Sequence, residues 1–231
     1  MSTDALCLQV IKICAMRATL LSPLGDVASG SNNFVSSTVE TKIGFTADTD
    51  KGKDLYYRTG CDGPLAAYKS PELLKRFTLA LETIGFDPAL QSLLTGASVL
   101  DDGSGTVVGY EFNLQDCPTD PTPPLLAVET WSYAYICDAQ SATTPFIYSL
   151  FPMCQFQASG DWALEVDFQK PAFAGFTRRN NQWGHGPYGG IVQGAEGGPV
   201  YDTVSGAPAV FATSTEPPAA FCGLQTITPS S

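Results

Sequence analysis

Between Arg76 and Asn113 the hydrophobic pattern changes period twice. Phe77, Leu79 and Leu81 alternate with Thr78, Ala80 and Glu82, the period-two signature of a strand with one buried face. Asp87 and Pro88 then stand where a helix takes its N-cap and first residue, and Gly96 where a left-handed C-terminal cap falls. Leu90, Leu93 and Leu94 recur between them at helical spacing and give that short helix one apolar face. Asp101 to Gly105 carries turn chemistry, because Gly supplies positive φ and Asp bonds its own backbone. Thr106 to Asn113 resumes as a strand, so the segment ends in a hairpin.

Alternation elsewhere predicts strands near Leu8–Leu21, Val39–Thr46, Leu55–Thr59, Leu125–Cys137, Phe146–Phe151, Trp162–Gln169 and Ala209–Thr213. Val39, Thr41, Ile43 and Phe45 oppose Glu40, Lys42, Gly44 and Thr46, and Leu164, Val166 and Phe168 oppose Glu165, Asp167 and Gln169. Trp131, Tyr133 and Tyr135 share a strand face with Leu125 and Ala127, interrupted by Glu129, and such a face reads as core. One helix among so many strands predicts a mainly β protein: an antiparallel β-sandwich or barrel with one short flanking α-helix and long loops. The 22 Gly and 17 Pro of the 231 residues agree with many turns, above all in a Gly/Pro-rich C-terminal region, 171–231. No tandem repeat divides the chain, which reads as one domain over 1–231.

The net charge of −11 argues against nucleic acid as a tightly held partner, since phosphates are bound by Lys and Arg that release counterions. Only 15% of residues are charged and 44% are hydrophobic, which leaves surface for an assembly to cover. Ala5 to Leu21 is apolar, but Lys12 and Arg17 interrupt it and Asp4 stands where a signal peptide is basic. With no stretch of about 18 apolar residues, no membrane insertion is expected and synthesis in the cytoplasm is. The seven cysteines, Cys7, Cys14, Cys61, Cys117, Cys137, Cys154 and Cys222, are odd in number and include no C-x-x-C pair. They read mostly as small buried hydrophobes rather than zinc ligands.

The residues that look like chemistry lack a necessary member. Gly194-Ala195-Glu196-Gly197-Gly198-Pro199-Val200 resembles a serine-protease nucleophile loop, with Glu196 in place of the serine. His185 is the only histidine, so two-His metal sites are excluded. Asp48-Thr49-Asp50-Lys51-Gly52-Lys53-Asp54 places acids at alternate positions as a calcium loop does, but Gly52 is one position early and Thr59 replaces the bidentate Glu. A solvated hairpin tip is the expectation there. No catalytic residue, metal or cofactor is expected. Tyr56, Tyr57, Phe173, Phe176 and Tyr188 lie in turn-rich stretches as candidate subunit anchors, and Arg178-Arg179 as partners for acids on a neighbour.

The order strand, Gly85-x-Asp87-Pro88-x-Leu90-x-x-Leu93-Leu94-Thr95-Gly96, Asp/Gly turn, Val108-Gly109-Tyr110 resembles the major tail tube proteins of long-tailed bacteriophages, particularly those infecting actinobacteria. Trp183-Gly184-His185-Gly186-Pro187-Tyr188 is similar to a W-G-x-G-P-Y segment late in those proteins, and Ala18-Thr19-Leu20-Leu21 with Pro23, Gly25 and Gly30 to their first strand and turn. The resemblance implies a structural, non-enzymatic virion protein. Its fold would be a β-sandwich or barrel of tail-tube type, whose sheets join between subunits into stacked, six-fold rings around a DNA conduit. It also implies an inter-ring loop around 46–68. The partners would be further copies of the chain and the tape-measure, tail terminator and distal tail proteins, with viral DNA as a passenger that an acidic bore repels. Asp50, Lys51, Tyr56, Tyr57, Arg178, Arg179, Trp183 and Tyr188 become the subunit-interface candidates. Two rivals share the composition: another ring-forming virion β-protein, such as a tail terminator or capsid decoration protein, and a carbohydrate-binding or hydrolytic β-sandwich.

Overall fold

The computed structural model describes residues 9–30, 34–37, 40–58, 64–85, 87–111, 123–136, 139–140, 145–159, 170–182, 185–186, 201–202, 206–214, 216–217 and 226. The expected strand Trp162–Gln169, the Glu196 loop, Trp183 and Tyr188 lie outside them. In chain order the elements are β1 (Gln9–Leu21), β2 (Phe34–Ser37), β3 (Glu40–Asp50), β4 (Asp54–Arg58), β5 (Pro64–Lys69) and β6 (Leu73–Thr83). Then come α1 (Pro88–Thr95), β7 (Ser98–Asp101), β8 (Val107–Glu111), β9 (Leu125–Ile136), β10 (Ala139–Gln140) and β11 (Phe146–Ser159). The chain ends with β12 (Ala172–Thr177), β13 (His185–Gly186), β14 (Tyr201–Asp202) and β15 (Ala209–Thr213).

Among the described residues, nine strands form one antiparallel sheet in the order β2-β1-β9-β11-β12-β6-β3, with β10 added to β9 and β15 to β11. The two ends of this path, β2 and β3, are separated in sequence only by residues 38 and 39. Three peptide steps span at most about 11 Å, so the sheet has to curl until its ends approach one another. Inside the curl sits α1. Asp87 accepts the Leu90 N–H at 3.0 Å, Pro88 opens the helix, and Gly96 closes it at φ 76°. Leu90, Leu93 and Leu94 point into a core made by Met16 and Ala18, Leu79 and Leu81, Leu126 and Val128, and Phe151, Phe156 and Phe173. Each buried leucine contributes about 1.5–3 kcal/mol relative to exposure, enough to hold a helix of two turns that would not form alone.

The opposite face of β1, β9 and β11 carries a second cluster, in which Trp131 packs edge-on against Tyr148 at 5.1 Å between centroids. Within it lies a buried ion pair. Arg17 of β1 faces Glu129 of β9 in register and donates to it at 2.5 Å, and the Tyr148 hydroxyl donates to the other carboxylate oxygen at 2.7 Å. The charged residues that break the hydrophobic pattern of both strands are therefore each other's partners. Cys154 is buried in the first cluster and Cys14 is half-buried beside Trp131, and burial pushes both thiols up.

Several elements differ from the pattern-based expectation. β11 runs on to Ser159 because Pro152 falls where the pairing with β9 shifts register between Phe151 and Cys154, the place in a strand that tolerates a missing N–H. Strand β12 lies inside the region expected to be turn-rich, and Phe173 is buried in the core rather than available as a subunit anchor. A Cβ at Gly175 of this strand would come within 2.5 Å of the Gln155 carbonyl oxygen, so the glycine permits close strand approach instead of marking a turn. Short strand β2 has no clear alternation and was not expected.

Candidate functional site

The pairing of β3 with β6 continues beyond the sheet. β12 is in register with β6 only from Thr78 to Glu82, and the Thr177 hydroxyl takes the next backbone group, the Phe77 N–H, at 3.0 Å. Beyond that point Ala47–Asp50 still pairs with Leu73–Phe77, the Ser70 N–H donates to Lys53 at 3.1 Å, and β4 pairs with β5 from Asp54↔Lys69 to Arg58↔Pro64. The result is a two-stranded ribbon that extends at most about 36 Å from Ala47 to Arg58 at roughly 3.3 Å per residue. In its described parts, the stretch 46–68 is thus a β-ribbon rather than an open loop. Asp48–Asp54 is its middle rather than its tip, because the β4–β5 pairing continues beyond it to Arg58↔Pro64; residues 59–63 lie outside the described residues.

The acids that resembled a calcium loop are cross-strand partners here. Asp48 accepts from Arg76 at 2.8 Å, Asp50 approaches Lys75 at 3.4 Å, and Thr49 donates to Glu72 at 2.5 Å. All lie at the surface, where each pair contributes about 0–1 kcal/mol and chiefly fixes register. Gly52 lies between the two halves of the ribbon and lets the strands approach closely, because a Cβ there would come within 2.3 Å of the Ser70 carbonyl oxygen.

Apolar side chains on the ribbon remain in solvent. Leu55, Tyr68, Leu73 and Leu74 are each more than half exposed, and Leu55 is the direct cross-strand partner of Tyr68. A two-stranded ribbon has no core of its own and is marginal in water, so exposed apolar residues and open strand edges along it form a surface suited to being covered. The ribbon brings together four of the residues singled out from the sequence. Asp50 and Lys51 are exposed beside Gly52, and the backbones of Tyr56 and Tyr57 lie in β4 opposite Ala67 and Ala66.

Arg178 and Arg179 stand at the ribbon's base, just after β12. The Arg178 N–H is fixed by the Met153 carbonyl at 2.8 Å. Its guanidinium lies 5.2 Å from the centroid of the Phe176 ring, and that of Arg76 lies 5.1 Å from the same ring, both within cation–π range. Beside Phe176 the outer faces of β11, β12 and β6 form a cleft of about 380 Å³ lined by Thr78, Gln155, Gln157 and Ala174. Spacing alone gave no hint of this stack, since Arg76 and Phe176 are a hundred residues apart and meet only through the β12–β6 pairing. His185–Gly186 pairs with Tyr201–Asp202 as a two-residue ladder. Among the described residues no His, Cys, Asp or Glu cluster has the geometry of a metal site, and no helix is long and apolar enough to cross a membrane. In comparisons with known proteins, no family model matches the chain and no curated protein matches it.

Proposed function

We propose that this chain is a self-assembling structural subunit of a phage tail tube, a virion protein that stacks in rings to form the conduit for DNA. The observation that carries the reading is the projecting ribbon with solvent-exposed Leu55, Tyr68, Leu73 and Leu74, a surface that gains by being buried against another subunit. Two further features support it. The order of motifs between Gly85 and Tyr110 resembles tail tube proteins, and the charge of −11 suits a bore that must repel the phosphates passing through it. The work is geometric: open edges and apolar ribbons of one subunit are satisfied by the next, and closure into a ring removes the edges that would otherwise aggregate.

Electron microscopy of the purified full-length chain tests this. Extended hollow tubes are expected, and a variant in which residues 54–69 are replaced by Asn-Gly, joining Lys53 to Ser70 across their existing hydrogen bond, is expected to fold but not to stack. Isolated rings from the unaltered chain favour a tail terminator instead. A chain that stays monomeric at high concentration, or a ribbon-deleted variant that still makes tubes of normal length, overturns the reading.

A further inference from the structure

We propose that the acidic β7–β8 hairpin of one copy docks in the Phe176 cleft of the next copy, with its carboxylates held by Arg178 and Arg179. The inference rests on the reading of the chain as a self-assembling subunit and names two surfaces that meet.

The cleft has the chemistry of an interface anchor. Phe176 is half-buried, and two guanidiniums lie 5.1 and 5.2 Å from its ring centroid. Stacking on the ring holds each guanidinium plane while leaving its N–H edge open to a carboxylate. Arg76 is already engaged by Asp48. Arg178 and Arg179 are exposed and make no ion pair with any described residue, although acids outnumber bases 23 to 12 in the chain. An adjacent arginine pair with no acid paired to it among the described residues is available to an acidic partner, and a second copy supplies one.

The hairpin is the complementary surface. Asp101, Asp102 and Glu111 carry its charge, and Val99, Leu100 and Val108 are exposed along its strands. It is preorganised, which lowers the entropy lost on docking. Asp101 accepts from the Gly103 N–H at 2.8 Å, and Asp102 accepts from the Ser104 N–H at 2.9 Å and the Ser104 hydroxyl at 2.6 Å. Gly103 and Gly105 supply the positive φ of the turn, at 80° and 89°.

The two surfaces lie on opposite sides of the sheet. The hairpin packs beside α1 on the inner side, with Leu79, Leu81 and Phe173, while the cleft is formed by the alternate residues Thr78, Ala174 and Phe176 on the outer side. A contact between them is therefore heterologous, and such contacts either close into rings or propagate as filaments. DNA is the weaker candidate occupant, because the chain as a whole repels phosphate.

A charge-swap experiment tests the docking by sedimentation velocity and electron microscopy. One variant carries Arg178→Glu and Arg179→Glu, the other Asp101→Lys and Glu111→Lys, with fold checked by circular dichroism. Each alone is expected to stay monomeric at concentrations where the unaltered chain assembles fully. An equimolar mixture is expected to assemble again, because each cleft then meets a hairpin of opposite charge. The milder Arg178→Gln, Arg179→Gln pair is expected to weaken assembly without the mixed rescue. If either charge-reversed chain assembles alone like the parent, or the mixture stays monomeric while the parent forms tubes, the docking is overturned and the tail-tube reading stands. A parent chain that never assembles overturns both. Retardation of a short DNA duplex that depends on Arg178 and Arg179, with assembly unaffected by their reversal, assigns the cleft to phosphate and also overturns the docking.

Discussion

The buried pair of Arg17 and Glu129 sets a quantitative test of how this sheet accommodates charge. Their side chains are 4% and 0% exposed, they face each other across β1 and β9, and Tyr148 donates to the same carboxylate from β11. In Glu129→Leu a buried guanidinium loses its carboxylate, and in Arg17→Met a buried carboxylate loses its guanidinium. Each change is expected to cost about 3–5 kcal/mol, because desolvation of the remaining ion is no longer offset by its partner. The double variant removes both ions and fills the space with apolar atoms, so its cost is expected to fall to about 2 kcal/mol or less. The coupling between the two sites is then about 4 kcal/mol or more, well above the scatter of independent sites. Tyr148→Phe, which removes one hydrogen bond to a charged acceptor, is expected to cost about 1.5–3 kcal/mol. Urea unfolding followed by tryptophan fluorescence measures all four, since Trp131 is fully buried against Tyr148 in the same cluster. Additive single costs, or single costs below about 1 kcal/mol, would show that both charges are solvated and that the second cluster is not a dry core.

Two further outcomes are expected. Gly175→Ala places a methyl 2.5 Å from the Gln155 carbonyl oxygen and 2.7 Å from the Phe156 ring, so β11 and β12 have to separate. A loss of about 1–3 kcal/mol is expected, read as a fall in Tm of about 2–4 °C per kcal/mol for a chain of this size, and an unchanged melt refutes the close-approach argument. Bonds from the Ser104 hydroxyl and then the Ser104 N–H hold the Asp102 carboxyl below the usual aspartate range. A folded pKa below the unfolded value means that the unfolded hairpin takes the proton first, so this stabilisation is complete above the ordinary aspartate pKa of about 3.9 and is lost as pH falls below it. The Ser104 and Thr106 N–H groups both donate to Asp102, so their protection relative to intrinsic exchange is expected to fall across that window, and an Asp102→Asn chain is expected to show no such step. Protection that stays flat from neutral pH to about pH 2 contradicts the assignment.

How much was legible before folding depends on the range of the interaction. The helix caps at Asp87 and Gly96, the Asp101–Gly105 turn and the alternation around Leu79 and Leu81 are local, and the chain carries them in order. Strand β12 was not legible, because Ala172-Phe173-Ala174-Gly175 has weak strand propensity and is held by β11 and β6 on either side. The acids at 48 and 50 invited a metal reading because their partners, Arg76 and Lys75, are distant in sequence. Arg17 and Glu129 looked like interruptions for the same reason.

The sequence by itself determined that the protein is mainly β with one short capped helix, since these features depend on period, caps and turn residues within a few positions. It also determined the acidity that shapes what the surface repels. Only the tertiary structure decided that the sheet curls around α1, that residues 47–58 and 64–77 form a projecting ribbon, and that Arg76, Phe176 and Arg178 stack beside a cleft. The physical reason is that each of these is a pairing between strands far apart in the chain. Whether an exposed leucine joins a core or a docking surface is settled by which strands lie over it, and local pattern carries no record of that.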